Sequence, residues 1–145
     1  MAQMGWEMQL EIDPRSAVPI YQQLRDRTVE AIARGWLVPG QQLASVRQVA
    51  VSFGINVATV SKAYDALRQD GFIHTNRKSG SIVARGPGHP VDRAFQAAWT
   101  DRLTTVLAEA VAQGMSASEI KRAVGGIIEG FDRSRGSAGS TRMKG

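Results

Sequence analysis

The chain has 145 residues, of which 43% are hydrophobic and 21% charged, and its net charge is +5. This balance is typical of a globular protein, and the absence of cysteine excludes disulfides, thiolate metal sites and thiol catalysis. No apolar run approaches the roughly 18 residues of a membrane span. The first residues also lack the pattern of a signal peptide, so we expect a soluble, cytoplasmic protein.

The basic charge is unevenly distributed along the chain. No Asp or Glu occurs from Gly40 to Tyr64 or from Gly71 to Arg85, although both stretches contain Arg and Lys. Basic stretches without acids are typical of a surface that faces phosphate. Chance clustering in a mildly basic protein is the alternative explanation.

The first part of the chain predicts three helices followed by a β-hairpin. Pro19 suits the first turn of a helix that stops at Gly35. Ser45 and Asn56 are good N-caps for two further helices, which Gly54 separates. In chain order we predict a flexible N-terminus at 1–9, a short strand within 8–12, helices over 19–34, 45–53 and 56–69, and strands over 72–75 and 81–84.

A linker rich in glycine and proline, residues 86–91, separates this part from two more helices. The first of them is predicted over 91–113, and Ser116 and Glu119 form a capping-box pattern for the second. The predicted organisation is a domain over 10–85, a two-helix region over 92–135 and, because of its Gly/Ser composition, a disordered tail over 136–145.

The segment from Val46 to Phe72 has the spacing of a helix-turn-helix. Ala50 is the small residue where two helices cross, Gly54 is the turn residue that tolerates positive φ, and Val60 is a buried aliphatic of the second helix. The remaining inward positions are Val49, Phe53, Ile55, Ala63, Tyr64 and Leu67. An ordinary helix hairpin with a glycine between its helices is the alternative.

In a helix-turn-helix, the second helix inserts its N-terminal turns into the major groove of DNA. The residues predicted to face the groove are Val57, Ala58, Thr59, Ser61 and Lys62. The apolar pair suits thymine methyl groups, the hydroxyls suit phosphates or base edges, and Lys62 suits guanine or phosphate.

Two further cationic positions point to the same partner. Arg47 lies in the first turn of the preceding helix, where a cation opposes the helix dipole unless an anion lies nearby. The tip of the hairpin, residues 77–80, is predicted to be a wing that contacts phosphate or the minor groove. A solvated turn is the alternative for the wing.

The motifs resemble those of the GntR family of bacterial regulators, and the opening Ile12–Pro14 with Ile20 and Tyr21 resembles its YtrA-type subfamily. The resemblance covers about residues 10–85 and rests on Pro19–Leu24, Gly35–Leu43, Ser45–Ala50, Gly54–Val60, Lys62–Tyr64, Leu67, Asp70–Ile73 and Ser79–Val83. It implies a winged helix and a homodimeric repressor on a palindromic operator in double-stranded DNA. Ala44, Val57, Ala58 and Lys62 depart from the usual family residues, which leaves the operator sequence open.

Together, the pattern and the resemblance predict one set of DNA-contacting residues: Ser45, Arg47, Asn56, Val57, Ala58, Thr59, Ser61, Lys62, Arg77, Lys78, Ser79 and Gly80. No catalytic, cofactor or metal site is predicted, because His74 and His89 are the only histidines and no carboxylate pair or nucleophile has a catalytic arrangement. We therefore do not expect an enzyme. A winged helix that binds protein, or a remnant of the aminotransferase-fused branch of the family, are the alternatives.

The two C-terminal helices carry apolar stripes that one helix pair cannot bury by itself. The stripes define the predicted dimerisation residues: Phe95, Trp99, Leu103, Val106, Ile120, Val124, Ile127 and Phe131. A second copy of the chain is the predicted partner, and packing on the DNA-binding domain of the same chain is the alternative. An unidentified small-molecule effector is compatible with this region. The predicted fold is thus mainly α with a small β-hairpin, a winged helix-turn-helix followed by a two-helix dimerisation region.

Overall fold

The chain forms five helices and one β-hairpin within residues 10–144, the part that the computed structural model describes. In chain order they are α1 (Ile20–Ala33), α2 (Val46–Phe53), α3 (Val57–Gln69), β1 (Ile73–Asn76), β2 (Gly80–Val83), α4 (Arg93–Ala112) and α5 (Ala117–Lys144). They divide into two units, which we name the head unit (residues 10–87 and 134–144) and the helical unit (residues 88–133). The predicted fold class, mainly α with a small β-hairpin and two C-terminal helices, is confirmed.

The helix boundaries in the head unit follow from the predicted caps. Ser45 Oγ accepts a hydrogen bond from the backbone N–H of Gln48, and Gln48 Oε1 accepts one from the N–H of Ser45, which completes a capping box. Gly54 ends α2 with a φ of +64°, a left-handed conformation that glycine adopts without strain. Asn56 Oδ1 then accepts from the N–H of Ala58 at 2.8 Å and starts α3.

The core of the head unit lies between the first three helices and the hairpin. Val49, Val60 and Leu67 are fully buried there, as the helix-turn-helix spacing predicts, while Phe53 and Ile55 are packed against the core and only partly buried. Tyr64 is also buried, and its hydroxyl donates to the carbonyl of Ala44 at 2.5 Å, which satisfies its polar atom inside the core.

A buried glutamine ties the start of the described chain to α1. Gln23 Nε2 donates to the carbonyls of Asp13 and Val18, and Gln23 Oε1 accepts from the N–H of Asp13. These bonds replace strand pairing, and residues 10–12 form no strand. The prediction of a strand within 8–12 is therefore wrong for these residues, and the rest of it, like the flexible N-terminus predicted at 1–9, lies outside the described residues.

The hairpin is paired one residue closer to its tip than predicted. Ile73 pairs with Val83 and Asn76 with Gly80 in an antiparallel register. Residues 41–43 form an additional edge, since the N–H of Leu43 donates to the carbonyl of Ser81 and the N–H of Val83 donates to that of Gln41. This third edge, for which no strand was predicted, joins the hairpin to the segment between α1 and α2.

The helical unit consists of α4 and most of α5. Asp92 caps α4, Gly114 follows it with a φ of +105°, and Ser116 and Glu119 form the predicted capping box before α5. Among the described residues, none on α4 is buried. None of the described helices combines the length and the apolarity that crossing a membrane requires.

The end of α5 corrects the prediction of a disordered tail. Residues 136–144 continue the helix. The guanidinium of Arg135 donates to the carbonyl of Ala33 at 3.0 Å, and Arg34 lies 3.4 Å from Ser134 Oγ. Gly35 leaves room for this approach, since a methyl group on it would come within 3.3 Å of Arg135 Cγ. These hydrogen bonds fix residues 134 and 135 at the end of α1, directly before the segment whose composition favours disorder.

Candidate nucleic-acid interface

The first turns of α3 are presented by the crossing of α2 and α3. Because Ala50 on α2 and Val60 on α3 are buried in the core, the opposite face of α3 is left toward solvent. Val57 and Ala58 are exposed there, and Thr59 and Ser61 are partly buried. The four predicted groove-facing residues of the first turns therefore lie together, with two methyl-bearing side chains beside two hydroxyls.

Two predicted contact residues are already engaged as helix caps. The side-chain oxygens of Ser45 and Asn56 accept hydrogen bonds from the backbone at 3.1 and 2.8 Å. An oxygen held in this way positions its helix, and the hydroxyl proton of Ser45 and the amide protons of Asn56 are the groups left to donate to an anion. Both residues are exposed.

Three predicted cations are exposed and carry uncompensated charge. Arg47, Arg77 and Lys78 form no ion pair with any carboxylate in residues 10–144. Arg47 stands in the first turn of α2, which holds no acid. Uncompensated cations at such positions favour a bound anion.

The wing tip has a defined geometry. Asn76 Oδ1 accepts from the N–H of Ser79 at 2.6 Å, and Gly80 adopts a φ of +68°. This turn leaves Arg77 and Lys78 exposed and Ser79 partly buried. Asn76 was absent from the predicted set, although an Asn at the first position of a turn is a recognisable signal.

Two further side chains position the wing and were not predicted. Arg68, near the end of α3, pairs with Asp65 and donates to Thr75 Oγ1 at 2.9 Å. Thr75 Oγ1 in turn lies 3.1 Å from Ser81 Oγ on the facing strand. This chain of polar contacts links α3 to both strands. Although it joins residues only three to seven positions apart, it depends on how α3 packs against the hairpin, and no residue pattern indicated it.

The seam between α1 and α3 holds the remaining predicted cation. Lys62 is exposed, and its Nζ lies 4.0 Å from the centroid of the Tyr21 ring. At the other end of the seam, Arg25 bonds Asp70 at 2.7 Å and stacks on Phe72. Lys62 is therefore held toward α1 by an aromatic ring, a contact that the sequence did not predict.

No metal centre is formed by the described residues, which include no cluster of three or more His, Asp or Glu side chains suited to a metal ion. His74 is exposed on β1 and pairs across the hairpin with Ile82.

Comparisons with known proteins identify the family to which this chain belongs. Residues 20–83 match the model described as "Bacterial regulatory proteins, gntR family". The chain is 32% identical over 89 residues to the HTH-type transcriptional regulator Rv1152 of Mycobacterium tuberculosis, a match that covers 61% of this chain and 72% of that protein. The chain belongs to the GntR family.

Within this family, the chain is similar to two YtrA proteins. The chain is 41% identical over 75 residues to the HTH-type transcriptional repressor YtrA of Bacillus subtilis, and this match covers 52% of the chain but only 58% of that repressor. The solved structure of YtrA from Sulfolobus acidocaldarius, a GntR-family transcription factor, is 36% identical, with a TM-score of 0.57 over 71% of this chain and 97% of that one. The resemblance to the YtrA-type subfamily and the winged helix-turn-helix fold are confirmed.

Proposed function

We propose that this GntR-family protein is a transcription regulator that binds double-stranded DNA sequence-specifically, and that it acts as a homodimeric repressor. The observation that carries the proposal is the grouping, on one head unit, of an exposed recognition-helix start with cations that no carboxylate of the described residues compensates. The repressor role is supported by the name of the Bacillus subtilis relative.

Each part of the predicted surface has a role in this proposal. Val57 and Ala58 contact thymine methyl groups and the hydroxyls of Thr59 and Ser61 contact base edges or phosphates. Arg47 binds at the groove edge. The wing then contributes phosphate or minor-groove contacts through Arg77 and Lys78, with Ser79 and Gly80 shaping the turn.

The exposed apolar side chains of the helical unit support the proposed homodimer. The large ones include Phe95, Trp99, Val106, Val124, Ile127 and Ile128, and Ile127 is 58% exposed. Leu103, Ile120 and Phe131 are partly buried. Exposed large apolar side chains in such number mark an interaction site, and a second copy of the chain offers a matching surface by symmetry.

A dimer of winged helices defines the form of the operator. Two identical heads bind two half-sites of an inverted repeat, with centres about one helical turn of DNA, or a multiple of it, apart. Because the chromosome is the target, we place the protein in the cytoplasm. We assign it no cofactor and no enzymatic activity.

Selection of binding sites from a pool of random DNA duplexes tests the proposal. The expected result is enrichment of an inverted repeat, with each half-site read by one recognition helix. Recovery of duplexes without a shared sequence would contradict sequence-specific binding. Recovery of a single, unrepeated half-site would contradict the dimer while leaving the role of the head unit intact.

A further inference from the structure

We infer that Lys62 binds a DNA phosphate rather than a base, and that Tyr21 is a positioning residue that holds Lys62 for this contact. The inference rests on the proposed function and adds to it a residue of α1, outside the helix-turn-helix. It also decides between guanine and phosphate, the two partners that the sequence left open for Lys62.

The position of Lys62 on α3 is the first step. It is the sixth residue of the helix, so its Cα lies about 7.5 Å along the axis from that of Val57 at 1.5 Å per residue. The residues that start the helix enter the groove first, and a long side chain at this depth reaches either the base edges or the groove wall. Sequence position alone therefore does not decide its partner.

The direction of the side chain is the second step. Lys62 Nζ is held 4.0 Å from the ring centroid of Tyr21, a residue that is partly buried in the first turn of α1 and packs against the core. The ammonium thus lies at the seam between the two helices and not over the free face of α3. At the edge of a recognition helix seated in the major groove, the neighbouring DNA groups are backbone phosphates.

The charge of Lys62 is the third step. No carboxylate in residues 10–144 forms an ion pair with it. A cation resting on an aromatic face keeps its charge, and an ammonium has three donors, so N–H groups remain for an anion. Lysine is a compact point charge that suits phosphate, whereas the planar fork of arginine suits bidentate reading of guanine.

The ring has a definable effect on binding. A lysine side chain loses much rotamer freedom when it is fixed in a complex. Because Tyr21 restricts that freedom before DNA arrives, part of the ordering cost is removed from the binding step. Tyr21 therefore raises affinity without touching DNA, and this effect depends on Lys62.

The test compares Lys62→Gln with the matched control Lys121→Gln, an exposed lysine on α5. Binding is measured by fluorescence anisotropy on the selected operator and on a scrambled duplex over a range of salt concentrations. One phosphate contact contributes about 0.9 to the slope of log K against log salt, which corresponds to about fivefold in Kd at about 0.15 M salt for each bound protomer. We expect Lys62→Gln to lose this amount equally on both duplexes and Lys121→Gln to change neither.

The role of Tyr21 is tested by Tyr21→Phe, which keeps the ring, and Tyr21→Leu, which removes it. Tyr21→Phe should bind within about twofold of the wild type because Phe also accepts a cation on its face, while Tyr21→Leu should lose affinity. In the Lys62→Gln background, Tyr21→Leu should cause no further loss. Thermal unfolding of each variant shows whether it is folded.

Three results would overturn the inference. A fall in the ratio of operator to scrambled binding for Lys62→Gln would show that Lys62 reads a base. Lower thermal stability with unchanged DNA binding would show a packing contact only. Equal losses for Tyr21→Phe and Tyr21→Leu would show that the ring does not position the lysine. By contrast, a wild-type protein that does not distinguish the two duplexes would refute the proposed function itself.

Discussion

The head unit and the helical unit differ in what holds them together. Among its described residues, the head unit has a core of fifteen buried apolar side chains, hydrogen bonds between α3 and the wing, and caps at the start of α2 and α3. In the described part of the chain α4 has no buried residue, and the unit exposes side chains such as Trp99. The first region therefore resembles an independent domain, while the second leaves apolar surface exposed, which is the surface that the proposed dimer would bury.

The largest effect is expected from a substitution in the exposed apolar stripe of the helical unit. Trp99→Lys places a charge on its exposed apolar stripe, and we expect the dimer dissociation constant to rise by about 30-fold or more, the effect of a hot spot of about 2 kcal/mol. Operator affinity should then fall by about 100-fold because the second half-site is no longer bound by the same particle. Analytical ultracentrifugation and anisotropy measure the two effects.

Thr100→Lys is the matched control, since it places the same charge on the next, exposed residue of α4. It should remain dimeric. If Trp99→Lys also sediments as a wild-type dimer, the apolar stripe around Trp99 is not the interface.

Truncation of the head core should instead affect stability. Leu67 is fully buried between α3 and the rest of the head, so Leu67→Ala should lower the free energy of unfolding by about 2–5 kcal/mol through lost burial and a cavity. Val51→Ala removes methyl groups from a residue that is 82% exposed. It should change the free energy of unfolding by less than about 0.5 kcal/mol. Urea unfolding measures both, and equal effects would contradict the assigned core.

Glycines in the two units should respond with opposite sign. Gly54 has a φ of +64° and open space where a methyl group would be added, so Gly54→Ala should cost about 1–2 kcal/mol of backbone strain. Gly125 lies inside helix α5, also with open space around it, so Gly125→Ala should raise helix stability by up to about 1 kcal/mol. Thermal unfolding compares them. Destabilisation by Gly125→Ala would instead show that the dimer needs close approach at this position.

The smallest effect concerns the end of α5. Arg135→Ala removes the hydrogen bond to the carbonyl of Ala33 and should lower the stability of the head unit by about 0.5–1.5 kcal/mol. Arg133→Ala removes an exposed guanidinium 4.0 Å from Glu129 and should have an effect near zero. Hydrogen exchange at the end of α1 distinguishes a docked helix from a free tail, because only docking protects those amides beyond their helical hydrogen bonds.

Local sequence signals predicted the elements of the head unit and most of its buried face. Caps, a positive-φ glycine and apolar spacing act within a few residues, so Ser45, Gly54 and Asn56 located α2 and α3 closely. The same signals placed the strand boundaries one residue from their observed positions, because the ends of paired strands depend on contacts across the hairpin and not on residue type alone. The sequence likewise could not show that Arg135 meets α1, and the composition of 136–145 indicated disorder where residues 136–144 are helical.

In the candidate site, the sequence predicted which cations are exposed but not which side chains they contact. Exposure of Arg47, Arg77 and Lys78 follows from their positions on a cap turn and a hairpin tip. The contacts of Lys62 with Tyr21 and of Arg68 with Thr75 span 41 and 7 residues and depend on how the helices pack. Such contacts decide which groups are fixed before DNA binds, and only the folded chain reveals them.

The most direct test of this account is an anisotropy titration of the wild-type protein against its selected operator and a scrambled duplex of the same length and composition. At physiological salt we predict a ratio of affinities of about 10³ or more, and a steep loss of both affinities as salt increases. Equal affinity for the two duplexes, or binding that does not respond to salt, would contradict the assignment of the head unit as a reader of DNA sequence.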